Sequence, residues 1–147
     1  MKITKFLLEN PSLRILDAAS KIELKMNLDL SAHSLNISQS LMLVALFSEE
    51  GRDIRSKELS AVFGLTKGAI SQGISHLESL GLIKRKADLK DRQGTSLQMT
   101  DKGRNVSLKL VAYFEKSQQK VERTLSSGKV SRFLSTIEAV TTPQGHA

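Results

Sequence analysis

The sequence predicts a mainly α-helical fold with one small β-hairpin, and three observations carry that expectation. Apolar residues recur at helical spacing through most of the chain. Two such helical stretches meet at a short turn, Gly64-Leu65-Thr66. Two strand-like segments then follow, Ile83 to Ala87 and Thr95 to Met99, the first of them basic. A helix, a tight turn with glycine, a second helix and a charged hairpin make a winged helix-turn-helix, here flanked by apolar helices at both ends.

Before that unit, residues 1–10 form a short leader whose Phe6, Leu7 and Leu8 need a hydrophobic surface, and Asn10-Pro11-Ser12 marks a boundary. From Leu13 to about His33, Ile15, Leu16, Ala19, Ile22, Met26 and Leu30 recur as one long helix. Leu35-Asn36-Ile37 is a connector, and Ser38 is expected to cap a helix with Leu41, Val44, Ala45 and Phe47 in the core and Gly51 at its close. Arg52-Asp53-Ile54 reads as a very short strand that joins the later hairpin. Ser56 is expected to cap the next helix, with Leu59, Val62 and Phe63 as its buried edge. Gly64 supplies a left-handed end and Leu65 plugs the turn.

The second helix of the motif starts at Thr66, whose hydroxyl can accept from a first-turn amide. Ile70, Ile74 and Leu77 fall on one inward stripe. Lys67, Gly68, Ser71, Gln72 and Ser75 project outward, with no carboxylate until Glu78, so this face suits a phosphate backbone and base edges. Gln72 is the residue best suited to reading a base, because its amide can bond adenine bidentately. Gly68 and Gly73 each cost a helix interior about 0.8 to 1 kcal/mol relative to Ala. Leu80-Gly81-Leu82 turns into the hairpin, whose loop, Asp88 to Gly94, places Lys90 and Arg92 near its tip. In the first strand Lys84, Arg85 and Lys86 alternate sides, so at most two of them face one partner. The expected contact set for nucleic acid is Ser56, Thr66, Lys67, Gly68, Ser71, Gln72, Ser75, His76, Lys84, Lys86, Lys90 and Arg92.

Thr100 caps a long helix with Asp101 at its positive end and Val106, Leu110, Val111, Phe114, Val121 and Leu125 along one side. Ser126-Ser127-Gly128 breaks it. A last helix presents Val130, Phe133, Leu134, Ile137 and Val140, and residues 141–147 read as a frayed tail. Terminal stripes this apolar exceed what one DNA-binding unit can cover. They are expected to bury each other in a dimer, through Leu13, Leu16, Ile22, Leu125, Val130, Phe133, Leu134 and Ile137. The domains expected are an N-terminal helix (1–34), the winged unit (35–100) and C-terminal dimerisation helices (101–147).

Bulk properties agree with this reading. With 147 residues the chain can bury a real core, and 22 Lys and Arg against 15 Asp and Glu leave a net charge of +7. The pI near 9.8 exceeds the threshold of about 9 typical of nucleic-acid binders. Between Thr66 and Arg104 eight basic residues face four acidic ones, so +4 of that charge sits in about a quarter of the chain. No cysteine is present, which excludes disulfides and zinc-thiolate sites. His33, His76 and His146 lack ligand spacing, so no metal is expected. No phosphate loop or nucleophile elbow points to an enzyme, and with 4% aromatic residues no cofactor or aromatic cage is legible, even near Tyr113 and Phe114. No run of about 18 apolar residues and no signal-peptide pattern occur, so a cytoplasmic protein without a membrane partner is expected.

The order and wording of these elements resemble the MarR family of winged-helix transcription regulators from roughly Leu13 to Val140. The words that carry the resemblance are Leu35-Asn36-Ile37-Ser38-Gln39, Lys57-Glu58-Leu59-Ser60, Leu77-Glu78-Ser79-Leu80-Gly81-Leu82-Ile83, Asp91-Arg92 and Thr100-Asp101-Lys102-Gly103. The resemblance implies a homodimer on double-stranded DNA. It would place two recognition helices in successive major grooves of a pseudo-palindromic site, with half-sites about 10 base pairs apart. It also implies a repressor released by a small aromatic effector. The family's wing pattern of Asp, any residue, Arg falls on Asp91, Arg92 and Gln93. Gln93 thus stands where the family has Arg: either Arg92 or Lys90 takes over in the minor groove, or minor-groove reading is weaker. The second reading is a winged-helix protein-interaction or architectural module without operator specificity.

Overall fold

The computed structural model describes residues 2–52, 54–87, 95–125 and 128–142, except for the side chains of Ala87 and Thr95. Among them the helices are α1 (Lys2–Glu9), α2 (Pro11–Leu30), α3 (Ile37–Ser48), α4 (Ser56–Phe63), α5 (Lys67–Ser79), α6 (Asp101–Leu125) and α7 (Lys129–Thr141), with strands β1 (Ile83–Ala87) and β2 (Thr95–Met99). The fold is mainly α-helical with one antiparallel hairpin. By contacts the chain divides into two compact units, residues 1–108 and 109–147.

In the first unit the leader is itself helical, and its Ile3, Phe6, Leu7 and Leu8 are exposed. Helix α2 starts earlier than Leu13, because Asn10 Oδ1 accepts from the Leu13 amide at 3.2 Å and Pro11 fits the first helical position. The expected run to His33 ends at Leu30 and tightens into one 3-10 turn, Ser31–His33, closed by Ser34 at a left-handed φ of 58°.

Helix α3 corrects two expectations. Its cap is Asn36, not Ser38: Asn36 Oδ1 accepts from the Gln39 amide at 2.9 Å, and Gln39 Oε1 accepts from the Asn36 amide at 3.0 Å, a reciprocal capping box. The buried residues are Ser40, Met42, Leu43 and Leu46, whereas Leu41 is exposed and Val44, Ala45 and Phe47 are half-buried. Residues 41–47 are apolar at every position, so no polar gap marks the outward face, and the packing neighbours choose it. Helix α4 begins at Ser56, which is therefore its first helical residue rather than its cap; Arg55 takes the cap position, with its amide bonded to Glu58 Oε1 at 3.1 Å. Leu59 is buried, but Val62 is 74% exposed, which removes it from the expected buried edge. Gly64 has the left-handed φ of 61° expected of it.

The hairpin runs antiparallel with Ile83 opposite Met99 and Ala87 opposite Thr95. Of the very short strand expected at residues 52–54, the structure shows a single isolated bridge from Ile54 to Leu97; Asp53 and the loop Asp88 to Gly94 lie outside the described residues. Leu97 and Ile83 are buried, so one hairpin face belongs to the core. The hairpin hands over to α6 through Thr100. Its hydroxyl donates to the Gly81 carbonyl at 2.7 Å and accepts from the Gly103 amide at 3.0 Å.

In the second unit α6 continues to Leu125 and Gly128, at φ 92°, opens α7; Ser126 and Ser127 of the expected break lie outside the described residues. Phe133 and Leu134 are exposed. Among the described residues no single helix is long and apolar enough to cross a membrane.

Two glycines are set by contact rather than by backbone freedom. A Cβ on Gly73 would lie 2.7 Å from Met42 Sδ, and one on Gly103 would overlap the Leu82 carbonyl oxygen. Replacing Gly103 by Ala is expected to cost about 3 kcal/mol or more, since rigid backbone must shift. Gly73→Ala should cost less, because Met42 is flexible and the gain in helix propensity, about 1 kcal/mol, offsets part of the clash. Denaturant unfolding of the two variants checks that ranking.

Candidate nucleic-acid interface

Helix α5 is held from beneath and open above. Ile70, Gly73, Ile74 and Leu77 are buried, and the helix packs on α3 and α4. Gly73, a costly residue in a helix, is explained by the close approach of Met42 from α3. At the N-terminus Thr66 Oγ1 accepts from the Ala69 amide at 3.2 Å, which confirms the cap and occupies that hydroxyl oxygen. At the C-terminus Lys102 Nζ donates to the Leu80 carbonyl at 2.7 Å, a cation placed where the helix dipole favours one.

The outward face carries the residues expected of it. Lys67, Gly68, Ser71, Gln72 and Ser75 are all exposed. Gly68 has no internal reason to lack a side chain: an added Cβ would meet only Thr66 Oγ1, at 3.9 Å. Ser56 is exposed at the start of α4. Lys84 and Lys86 are exposed on β1, on the face opposite Ile83, while Lys90 and Arg92 lie outside the described residues.

Besides Thr66, two further expected contacts are partly engaged within the chain. His76 Nε2 lies 2.8 Å from the Ser34 carbonyl oxygen; a carbonyl only accepts, so this nitrogen carries the proton and donates. Ser75 Oγ accepts from Arg85 Nη2 at 2.8 Å and keeps its own hydrogen to donate. Arg85, named with Lys84 and Lys86 on the first strand but absent from the expected contact set, is engaged by α5. It lies on the same side of β1 as Ile83, directed to α5, and its Nε is 3.4 Å from Glu78 Oε2. Strand alternation and the carboxylate of Glu78 were the available signals.

A second ionic cluster steadies the root of α6. Arg104 pairs with Glu50 at 2.5 Å and with Asp101, and the hydrogen bond to Glu50 holds its pKa above the usual arginine range. Among the described residues no group of three His, Cys, Asp or Glu is placed to hold a metal ion.

A hydrogen-bonding helix face with one cation, beside a strand that carries Lys84, Arg85 and Lys86, is chemistry for a polyanion. Comparison with known proteins agrees. The family model for the winged helix DNA-binding domain matches residues 40–117, just over half of the chain. The regulator TtmR of Methylorubrum extorquens (strain PA1) is 33% identical over 81 residues, covering 55% of this chain and 40% of that protein. The transcriptional repressor MprA of Escherichia coli (strain K12) is 32% identical over 84 residues, covering 57% and 48%. The matched segment thus spans less than half the length of either relative. In three dimensions the MepR–DNA complex of S. aureus superposes with a TM-score of 0.83 at 16% identity, over 89% of this chain and 95% of MepR, a likeness that shows the fold alone. The chain belongs to the winged helix DNA-binding domain family and has the fold of the MarR-family regulators.

Proposed function

We propose that this chain is a sequence-specific DNA-binding transcription regulator that works as a homodimer and represses until a small aromatic ligand releases it. The observation that carries DNA binding is the outward face of α5. Its exposed residues offer a cation, hydroxyls and one amide, beside the exposed lysines of β1. In this reading residues 35–100 hold the DNA, and residues 1–34 and 101–147 join two copies. Gln72 reads a base edge, while Lys67, Ser71, Ser75, Lys84 and Lys86, with Lys90 and Arg92 in the wing, address the backbone. The names of the relatives TtmR and MprA support a regulator, and that of MprA supports repression. Release by an aromatic ligand is supported by the family resemblance.

The dimer is supported by apolar side chains that the single chain leaves open. On α2 Leu16 and Ile22 are 63% and 57% exposed, and on α7 Phe133 and Leu134 are also exposed; Leu13, Leu125, Val130 and Ile137 are half-buried. A pair of copies would remove this surface from water at about 25 cal/mol per Å².

Selection of bound duplexes from a random pool at defined salt tests the central claim. The expected result is a pseudo-palindrome with half-sites about 10 base pairs apart; a flat profile would favour an architectural module instead. On the selected site Gln72→Ala should cost about 1 to 3 kcal/mol and relax preference at one position, whereas Lys84→Ala or Lys86→Ala should weaken all sequences alike and lower the salt slope by about one. Light scattering at micromolar concentration should give a dimer, and Leu134→Asp should shift it toward monomer and weaken DNA binding with it. A monomeric wild type would remove the two-half-site arrangement. For the effector, a thermal-shift series with aromatic acids should raise the melting temperature, and the same compounds should release the selected duplex; no shift from any of them would count against ligand-controlled repression.

A further inference from the structure

Glu78 is the only carboxylate on α5, and it does not stand aside from the outward face. Lys67, Ser71, Ser75 and Glu78 follow at i, i+4, i+8 and i+11, one stripe along the helix. An unscreened negative charge at the end of that stripe would face the phosphates that the rest of it is suited to meet.

Arg85 meets that charge from the hairpin. Its backbone amide donates to Glu78 Oε1 at 3.3 Å, its Nε is 3.4 Å from Glu78 Oε2, and its Nη2 donates to Ser75 Oγ at 2.8 Å. An ordinary exposed ion pair holds two flexible side chains at one point and is worth little. Here the guanidinium and the backbone amide of Arg85 fasten two consecutive stripe residues to the middle of β1. The planar fork of Arg lets one side chain reach both residues, and its charge lies beside the Glu78 carboxylate.

We propose that Arg85 is a positioning residue for DNA recognition that acts through Glu78. It screens the single acidic charge on the recognition stripe, so that α5 and β1 present no uncovered carboxylate to the phosphates. The inference rests on the DNA-binding reading above.

The test is a double-mutant cycle on the 147-residue chain, read as affinity for the duplex that wild type selects. Arg85→Gln should weaken binding about tenfold or more at low salt, because it uncovers Glu78. That deficit should shrink as salt rises and screens the exposed charge. Glu78→Gln alone should stay near wild type, and the double variant should recover most of the loss. A double variant as weak as Arg85→Gln would overturn the proposal, since it would mean that Arg85 contacts phosphate directly or only supports the fold. Should the glutamine variant lose its cooperative melting transition, Arg85→Lys replaces it. That variant keeps a cation beside Glu78 and is expected to bind near wild type, and a tenfold loss would again overturn the idea. A wild-type chain that selects no duplex would overturn the DNA-binding reading and this inference together, an outcome distinct from a chain that binds but shows no rescue.

Discussion

Burial of the inner face of α5 is the constraint on which the rest depends. Ile70, Ile74 and Leu77 are almost wholly out of water, and Gly73 lets Met42 of α3 press against the helix backbone. A helix seated this closely cannot roll. Its rotation decides which residues are left outside, and a turn of even one position, about 100° of the helical wheel, would carry Gln72 or Ser71 toward the core. Close packing underneath is thus what makes the outward face a defined surface rather than an average of several.

Polar ties then fix the ends and flanks of the same helix. Thr66 holds its N-terminus, Lys102 its C-terminal carbonyl, His76 reaches Ser34, and Arg85 holds Ser75 and Glu78 from the hairpin. Each bond is worth only about 0.5 to 1.5 kcal/mol net. Their value lies in direction, since they pull on α5 from the chain before it, the strand after it and the start of α6. A recognition element must be preorganised by its supporting shell if its contacts are not to be diluted by motion. The Gly103 approach to the Leu82 carbonyl serves the same end, because it sets how closely α6 leaves the hairpin.

Much of this arrangement is local and was legible residue by residue. The strands fall at Ile83–Ala87 and Thr95–Met99 as expected, Thr66 caps, Gly64 turns left-handed, and Ile70, Ile74 and Leu77 face inward. The misses share a cause. Ser38 and Asn36 are both capable caps, and only the reciprocal bond from Gln39 separates them. Val62 carries the right chemistry for a core but stands on the wrong side of a short helix. In α3, where residues 41–47 are all apolar, hydrophobicity carries no directional information at all. The exposure of Leu41 and burial of Ser40 follow from what lies beside the helix.

The sequence by itself determined the order of elements, the caps at Thr66 and Thr100, the left-handed turn at Gly64 and the hydrogen-bonding face of α5. These depend on periodicity and on interactions within three or four residues, which one strand of text preserves. Only the tertiary structure decided what a side chain at Gly73 would meet, that Gly103 must be glycine, which face of α3 is inside, and that Arg85 is bound to the recognition helix rather than free. Each of those joins residues between seven and thirty-one positions apart, or two elements of equal hydrophobicity. Their pairing is set by where the chain returns in space, and no local pattern records it.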